Sequence, residues 1–148
     1  GLAIFYLTLR EIQLSGVATQ SQYAIYAADT GAECALYWDS KCSLGGCATG
    51  SAFATSTNTN GGTFPPASAN ILCNGHDISA SWTIATPMPP TANAATTTFT
   101  LMLDPQVYCA IVTVAKSGNP SQTTVISHGY NTCVAGPLQL ERVLQVSY

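Results

Sequence analysis

Two hydrophobic rhythms divide the chain. From Leu2 to about Trp38 there is no proline. Large apolar residues recur at Ile4, Leu7, Ile12, Leu14 and Val17, and small ones follow at Ala24, Ala27, Ala28, Gly31, Ala32 and Ala35. This three-and-four spacing predicts a single helix, residues 1–38. At 1.5 Å per residue it reaches roughly 55 Å, more than a domain of this size covers. Part of it is therefore expected to project or to pack against other chains. Past Trp38 the rhythm changes. Ser43–Gly46 and Ala48–Ala69 are rich in Gly, Ser, Thr, Asn and Pro and read as loop. Period-two segments follow at Ser79–Thr86, Thr96–Leu103, Tyr108–Ala115, Thr123–Ser127 and Leu138–Val146. Phe99, Leu101 and Leu103 share one face, and Tyr108–Ala115 is apolar enough for a central strand. The predicted class is α+β, a long N-terminal helix on an antiparallel sheet of four to six strands, with residues 39–148 as a β-rich head.

The first nine residues, Gly1–Leu9, are almost wholly apolar. They are too few to span a bilayer, which takes about 20, and they lack the basic start of a signal peptide. They are expected to belong to an apolar segment that was processed or that continued upstream. Arg10 and Glu11 stand where such a helix would leave a membrane. The small-residue stripe, Ala24, Ala28, Gly31 and Ala35 in particular, is expected to let the sheet approach the helix. Tyr23, Tyr26, Tyr37 and Trp38 beside it read as core packing and anchoring. Glu33 has no basic residue one helical turn away, so it is expected to face solvent or a partner such as Arg10 of a neighbouring subunit.

Composition narrows the function classes. Charged residues make up 7% of the 148, with a net charge of -3. There is no basic cluster and hence no electrostatic footprint for nucleic acid. A hydrophobic fraction of 47% is the opposite of a disordered composition. The polar surface has to come from Ser, Thr, Asn, Gln and Gly. The Ser/Thr runs Thr49–Thr63 and Thr91–Thr100 are candidate carriers of O-linked sugars.

Six cysteines in a small chain of this composition read as disulfides in an oxidising compartment. A local Cys42–Cys47 bridge is the favoured pairing. Cys34, Cys73, Cys109 and Cys133 then form two longer staples whose order the spacing leaves open. Two alternatives are six reduced thiols in a cytosolic protein and a zinc site from Cys42, Cys47, Cys73 and His76, whose first spacing fits poorly. No catalytic string, phosphate loop, EF-hand or cofactor motif occurs. His76 and His128 read as surface or loop residues, so neither an enzyme nor a cofactor is expected.

Wording adds to pattern. Glu11–Gly16 (EIQLSG), Ser21–Asp39 (SQYAIYAADTGAECALYWD), Ser127–Cys133 (SHGYNTC) and Glu141–Val146 (ERVLQV) resemble the type IV pilin-like proteins, specifically the PilX-type minor pilin-like family of candidate-phyla bacteria. The match covers about 35 residues at one end and 20 at the other. The basic leader, cleavage site and early acidic residue of pilins have no counterpart in these residues, and Glu11 lies too far along to stand for the last.

The resemblance implies a cell-surface, extracellular filament subunit, anchored in the inner membrane before assembly and then polymerising with copies of itself. Its polymerisation surface would comprise Leu2, Ile4, Phe5, Leu7, Leu9, Arg10, Glu11, Ile12 and Leu14. The alternatives it implies are a minor or tip pilin acting as an adhesin, and a pseudopilin of a type II secretion-like machine. The adhesin would use the loops Ala48–Ala69 and Pro87–Thr98 on a surface glycan or host cell.

Overall fold

The computed structural model describes residues 2–41, 51–54, 71–85, 94–104, 108–118 and 122–148. A single helix, α1, runs from Leu2 to Lys41, 40 residues or about 60 Å. It continues three residues beyond the end expected from the sequence. Lys41 in its last turn complements the negative end of the helix dipole.

Among the described residues seven strands follow: β1 (Leu72–Cys73), β2 (His76–Asp77), β3 (Thr83–Ala85), β4 (Ala94–Leu103), β5 (Tyr108–Ser117), β6 (Gln122–Tyr130) and β7 (Glu141–Ser147). β1 and β2 form a small hairpin. Its turn uses Asn74 and Gly75 at positive φ, 49° and 80°, the left-handed region that these residue types tolerate best. The other five make one antiparallel meander in chain order. Ten residue pairs from Ala94↔Ser117 to Leu103↔Tyr108 join β4 to β5, which is the central strand.

Alternation decides the faces. Ala95, Thr97, Phe99, Leu101 and Leu103 of β4 are buried, as are Ala110, Val112 and Val114 of β5 and Val125, Ser127 and Gly129 of β6. α1 lies on this buried face, chiefly over β5, β6 and β7. Phe53, Trp82 and Phe99 stack at the other side of the core, with ring centroids 5.0 to 6.0 Å apart. The opposite face carries Thr96, Thr98, Thr100, Thr113 and Thr124, which give a charge-poor sheet a polar surface.

Three segments differ from their sequence reading. Ala94–Thr98, the end of the expected loop Pro87–Thr98, belongs to β4, and the rest of that loop lies outside the described residues. The alternation of Ser79–Thr86 predicts a strand, but Ile78–Ser81 is a 3-10 turn and, of its described residues, Thr83–Ala85 alone is strand; Thr86 lies outside them. Asp77 causes this: its carboxylate accepts from the backbone N–H and the hydroxyl of Ser79, at 2.9 and 2.6 Å, and so caps the turn. Leu138–Leu140 lies before β7, within a loop tied down by Asn131. That side chain accepts from the Leu140 N–H at 2.6 Å and donates to the Leu138 carbonyl at 3.1 Å.

Cys34 pairs with Cys73 and Cys109 with Cys133. The first staples α1 to the β1–β2 hairpin. The second staples the start of β5 to the loop after β6. Cys42 and Cys47 lie outside the described residues.

Candidate assembly surface

α1 has two halves that live in different environments. From Ala24 on, its stripe of small residues meets the sheet. Ala24, Ala27, Ala28, Gly31, Ala32 and Ala35 are all buried, so backbone and sheet come close together. A Cβ added to Gly31 would stand 2.6 Å from the Ser127 hydroxyl and 2.7 Å from a Val112 methyl. From the sheet side, a Cβ on Gly129 would overlap the helix backbone at Ala24 and Ala28. Two glycines facing each other's element thus set the helix–sheet distance. Sequence reading identified Gly31 and missed Gly129, whose place in a strand gives no hint of a helix above it.

The far end of this half is held by a buried polar cluster around Asp39. Lys116 of β5 pairs with its carboxylate at 2.5 Å, both side chains being more than nine-tenths buried. The Asp39 carboxylate also accepts from the hydroxyls of Tyr148, at 2.6 Å, and Ser51. Burial pushes the Asp39 carboxyl up, but the hydrogen bonds from Lys116, Ser51 and Tyr148 and the Lys116 charge outweigh it, leaving it below its ordinary value. Burial, and then the Asp39 carboxylate, raise the Tyr148 phenol well above its ordinary value.

The other half, residues 4–19, is exposed throughout. Ile4, Phe5, Tyr6, Leu7, Ile12, Leu14 and Val17 are between 57% and 69% exposed, and Leu9 is 44% exposed. They cover every side of the helix, so no single stripe dominates. Thr8 donates back to the carbonyls of Ile4 and Phe5, at 3.0 and 2.9 Å, and Thr19 to Ser15 at 3.1 Å. These hydroxyls are satisfied within the helix and ask nothing of their surroundings. Arg10 lies 5.9 Å over the Tyr6 ring. Among the described residues, Arg10, Glu11 and the exposed Glu33 have no ion-pair partner.

The halves meet at Gln20, whose side-chain oxygen accepts from Asn131 at 2.9 Å. Beside this bond the loop carrying Pro137, Leu138 and Leu140 overhangs Ile12, Gly16 and Val17, forming an apolar notch of ≈ 540 Å³. Leu138 is 84% exposed at its lip. The sequence pattern assigns Asn131 no role and reads Leu138 as the start of a strand. Their role comes from a loop fold that local composition does not specify.

The remaining sequence candidates are dispersed. His76 pairs with Asp104 at 2.9 Å, and His128 with Glu141 at 2.5 Å. His128 lies on a strand rather than in a loop, and its acidic partner comes from the neighbouring strand, 13 residues away. Hydrogen bonds from His128 and then Tyr130 hold the Glu141 carboxyl below its ordinary value. Cys73, bonded to Cys34, is withdrawn from the zinc set suggested by spacing. Among the described residues no group of three or more His, Cys, Asp or Glu side chains could hold a metal. No described helix is long and apolar enough to cross a membrane. No protein-family model, curated protein or solved structure matches the chain.

Proposed function

We propose that the chain is a structural subunit of an extracellular, type IV pilus-like filament that assembles through the free half of α1. One observation carries this reading: an unbroken helix is locked into a stapled head along one half and exposes large apolar side chains on all sides of the other. A helix that is apolar all round is normally buried. Eight such side chains in water are costly, since burying each is worth about 1.5–3 kcal/mol. Membrane hydrocarbon supplies an apolar environment before assembly, and the same segments of other copies supply it afterwards. Because the helix end of one copy meets a different surface on the next, the contacts are heterologous and propagate as an open helical array. The two disulfides fit an extracellular place.

Immuno-electron microscopy of native material, with an antibody against the head, tests the reading. Continuous decoration of thin filaments is expected. Label confined to filament tips would replace it by the adhesin reading, and label only at the cell envelope by the pseudopilin reading. Leu7→Glu gives an independent check. It should abolish filaments while the head keeps its thermal unfolding midpoint, because Leu7 is 64% exposed and lies beyond the notch in which the head loop overhangs Ile12, Gly16 and Val17.

A further inference from the structure

The sheet ends in an open edge. Thr123 and Tyr148 exchange both backbone hydrogen bonds, at 2.9 and 3.0 Å, and Asn131 donates to the Leu140 carbonyl at 3.2 Å. Antiparallel alternation then makes Val125–Val146, Ser127–Leu144 and Gly129–Arg142 the bonded pairs of the β6–β7 ladder. The N–H and C=O groups of Val143, Gln145 and Ser147 therefore point away from β6, and among the described residues nothing pairs with them.

Protein edges are commonly blunted by lysine, proline, bulges or an overlying segment. Val143–Ser147 contains neither a charge nor a proline, and its ladder to β6 runs without interruption. On the helix side of this edge, Ile25, Ala28 and Leu144 line a groove of ≈ 340 Å³, with Asp29 and Arg142 also lining it. Ile25 is 53% and Leu144 38% exposed. The unpaired backbone groups call for an extended strand, and the groove calls for an apolar side chain from that strand's inner face.

We propose that this edge binds a second copy of the chain, β7 against β7, antiparallel about Leu144, so that two five-stranded sheets become one. β7 meets both requirements of its own edge. In this register the outward-pointing backbone groups of Val143 face those of Gln145 in the other copy, and the same pair recurs across the two-fold axis. Leu144 meets Leu144 on the helix side and fills the groove between the two helices. Glu141 lies opposite Ser147 and Arg142 opposite Val146, so no like charges face each other. The contact is isologous and independent of the free half of α1. It therefore joins subunits of separate assemblies or pairs them side by side.

The test uses the full chain in detergent micelles that cover the apolar helix. Backbone amide hydrogen exchange is read at Val143, Gln145 and Ser147 over a range of protein concentrations. These amides should become protected as concentration rises, while those of exposed loop residues such as Ala135 should not. Gln145→Pro removes only an outward N–H and leaves the β6 ladder intact. It should abolish the concentration-dependent protection and the corresponding mass increase in light scattering, and Gln145→Ala should retain both. Filament formation through α1 should survive Gln145→Pro, which separates this inference from the filament reading. Unprotected amides at every concentration would overturn the proposal. So would self-association that is equal in the proline variant and the parent, or protection by an unrelated extended peptide but not by a second copy.

Discussion

Asp39→Asn is the substitution whose consequence follows most directly from the structure. The side chain is the common acceptor for Lys116, Tyr148 and Ser51, and it ties the last turn of α1 to β5, to Tyr148 just past β7 and to the segment before Phe53. Asparagine keeps the shape but removes the charge, leaving the Lys116 ammonium, itself 7% exposed, without a counter-ion. Leaving one member of a buried pair uncompensated costs about 3–5 kcal/mol. In a chain of this length that lowers the unfolding midpoint by roughly 2–4 °C per kcal/mol. Urea unfolding followed by tryptophan fluorescence is a suitable assay, because Trp38 and Trp82 both pack against the core.

The control is the double variant Asp39→Asn, Lys116→Met, which removes the stranded charge and should recover most of the loss. pH supplies a second check with a definite sign. Asp39 has a folded pKa below its unfolded value, near 3.9. Its stabilisation is therefore fully present above about pH 4 and is lost as the pH falls through the folded value. Parent and variant stabilities should converge in acid. A single-variant loss below about 1 kcal/mol, the value of an exposed pair, would refute the assignment of Asp39 as a buried anchor. So would a double variant no more stable than the single one.

Further outcomes are expected elsewhere. Gly129→Ala should destabilise the head by about 1–3 kcal/mol or more, because its Cβ has no room beneath the helix backbone; thermal unfolding would show it, and an unchanged midpoint would contradict the close approach. Ser127→Ala should be neutral or stabilising by about 1 kcal/mol, since the buried hydroxyl has no hydrogen-bond partner. Urea midpoints at constant m decide the sign. Opening the Cys34–Cys73 bridge, which closes a loop of 39 residues, should cost about 4 kcal/mol by chain entropy, and opening Cys109–Cys133, separated by 24, about 3.4. Single Cys→Ser variants at Cys73 and Cys133 would give the order. The Tyr148 phenol, raised in the fold, should add a loss of stability as the pH rises past about 10.

Elements built on one repeating period were legible in the sequence, while features made by distant partners were not. Ala24, Ala28, Gly31 and Ala35 announce their shared face by spacing alone, and Phe99, Leu101 and Leu103 do the same for β4. Ser79–Trp82 imitates that alternation. Its fate turns on Asp77, a short polar side chain that captures the Ser79 N–H before a strand can form. Leu138 and Leu140 imitate β7, but Asn131 holds their backbone in a loop. The Asp39 cluster joins residues 77 and 109 positions apart. Lys116 offers a faint signal, as a lone cation ending an otherwise apolar strand. The open edge of β7 is likewise a property of strand order, which no local pattern encodes.

The two halves of α1 make different demands, and the sequence divides between them at Gln20. Alanine and glycine suit the locked half, because close packing against a sheet needs backbone proximity and tolerates little side-chain volume. Large residues suit the free half, because each contributes apolar area only when a neighbour covers it. Were the stripe Ala24–Ala35 large, the helix would ride higher on the sheet, and Gly129 would lose its reason to be glycine. Were residues 4–19 small, leaving water would gain too little to hold a polymer together. The continuous backbone between the halves has a mechanical consequence. A pull on the free half is passed through Gln20 and Asn131 to the Cys109–Cys133 staple, and along the helix to Asp39 and the Cys34–Cys73 staple. Covalent bonds thus back the packed contact between helix and sheet, one near each end of it.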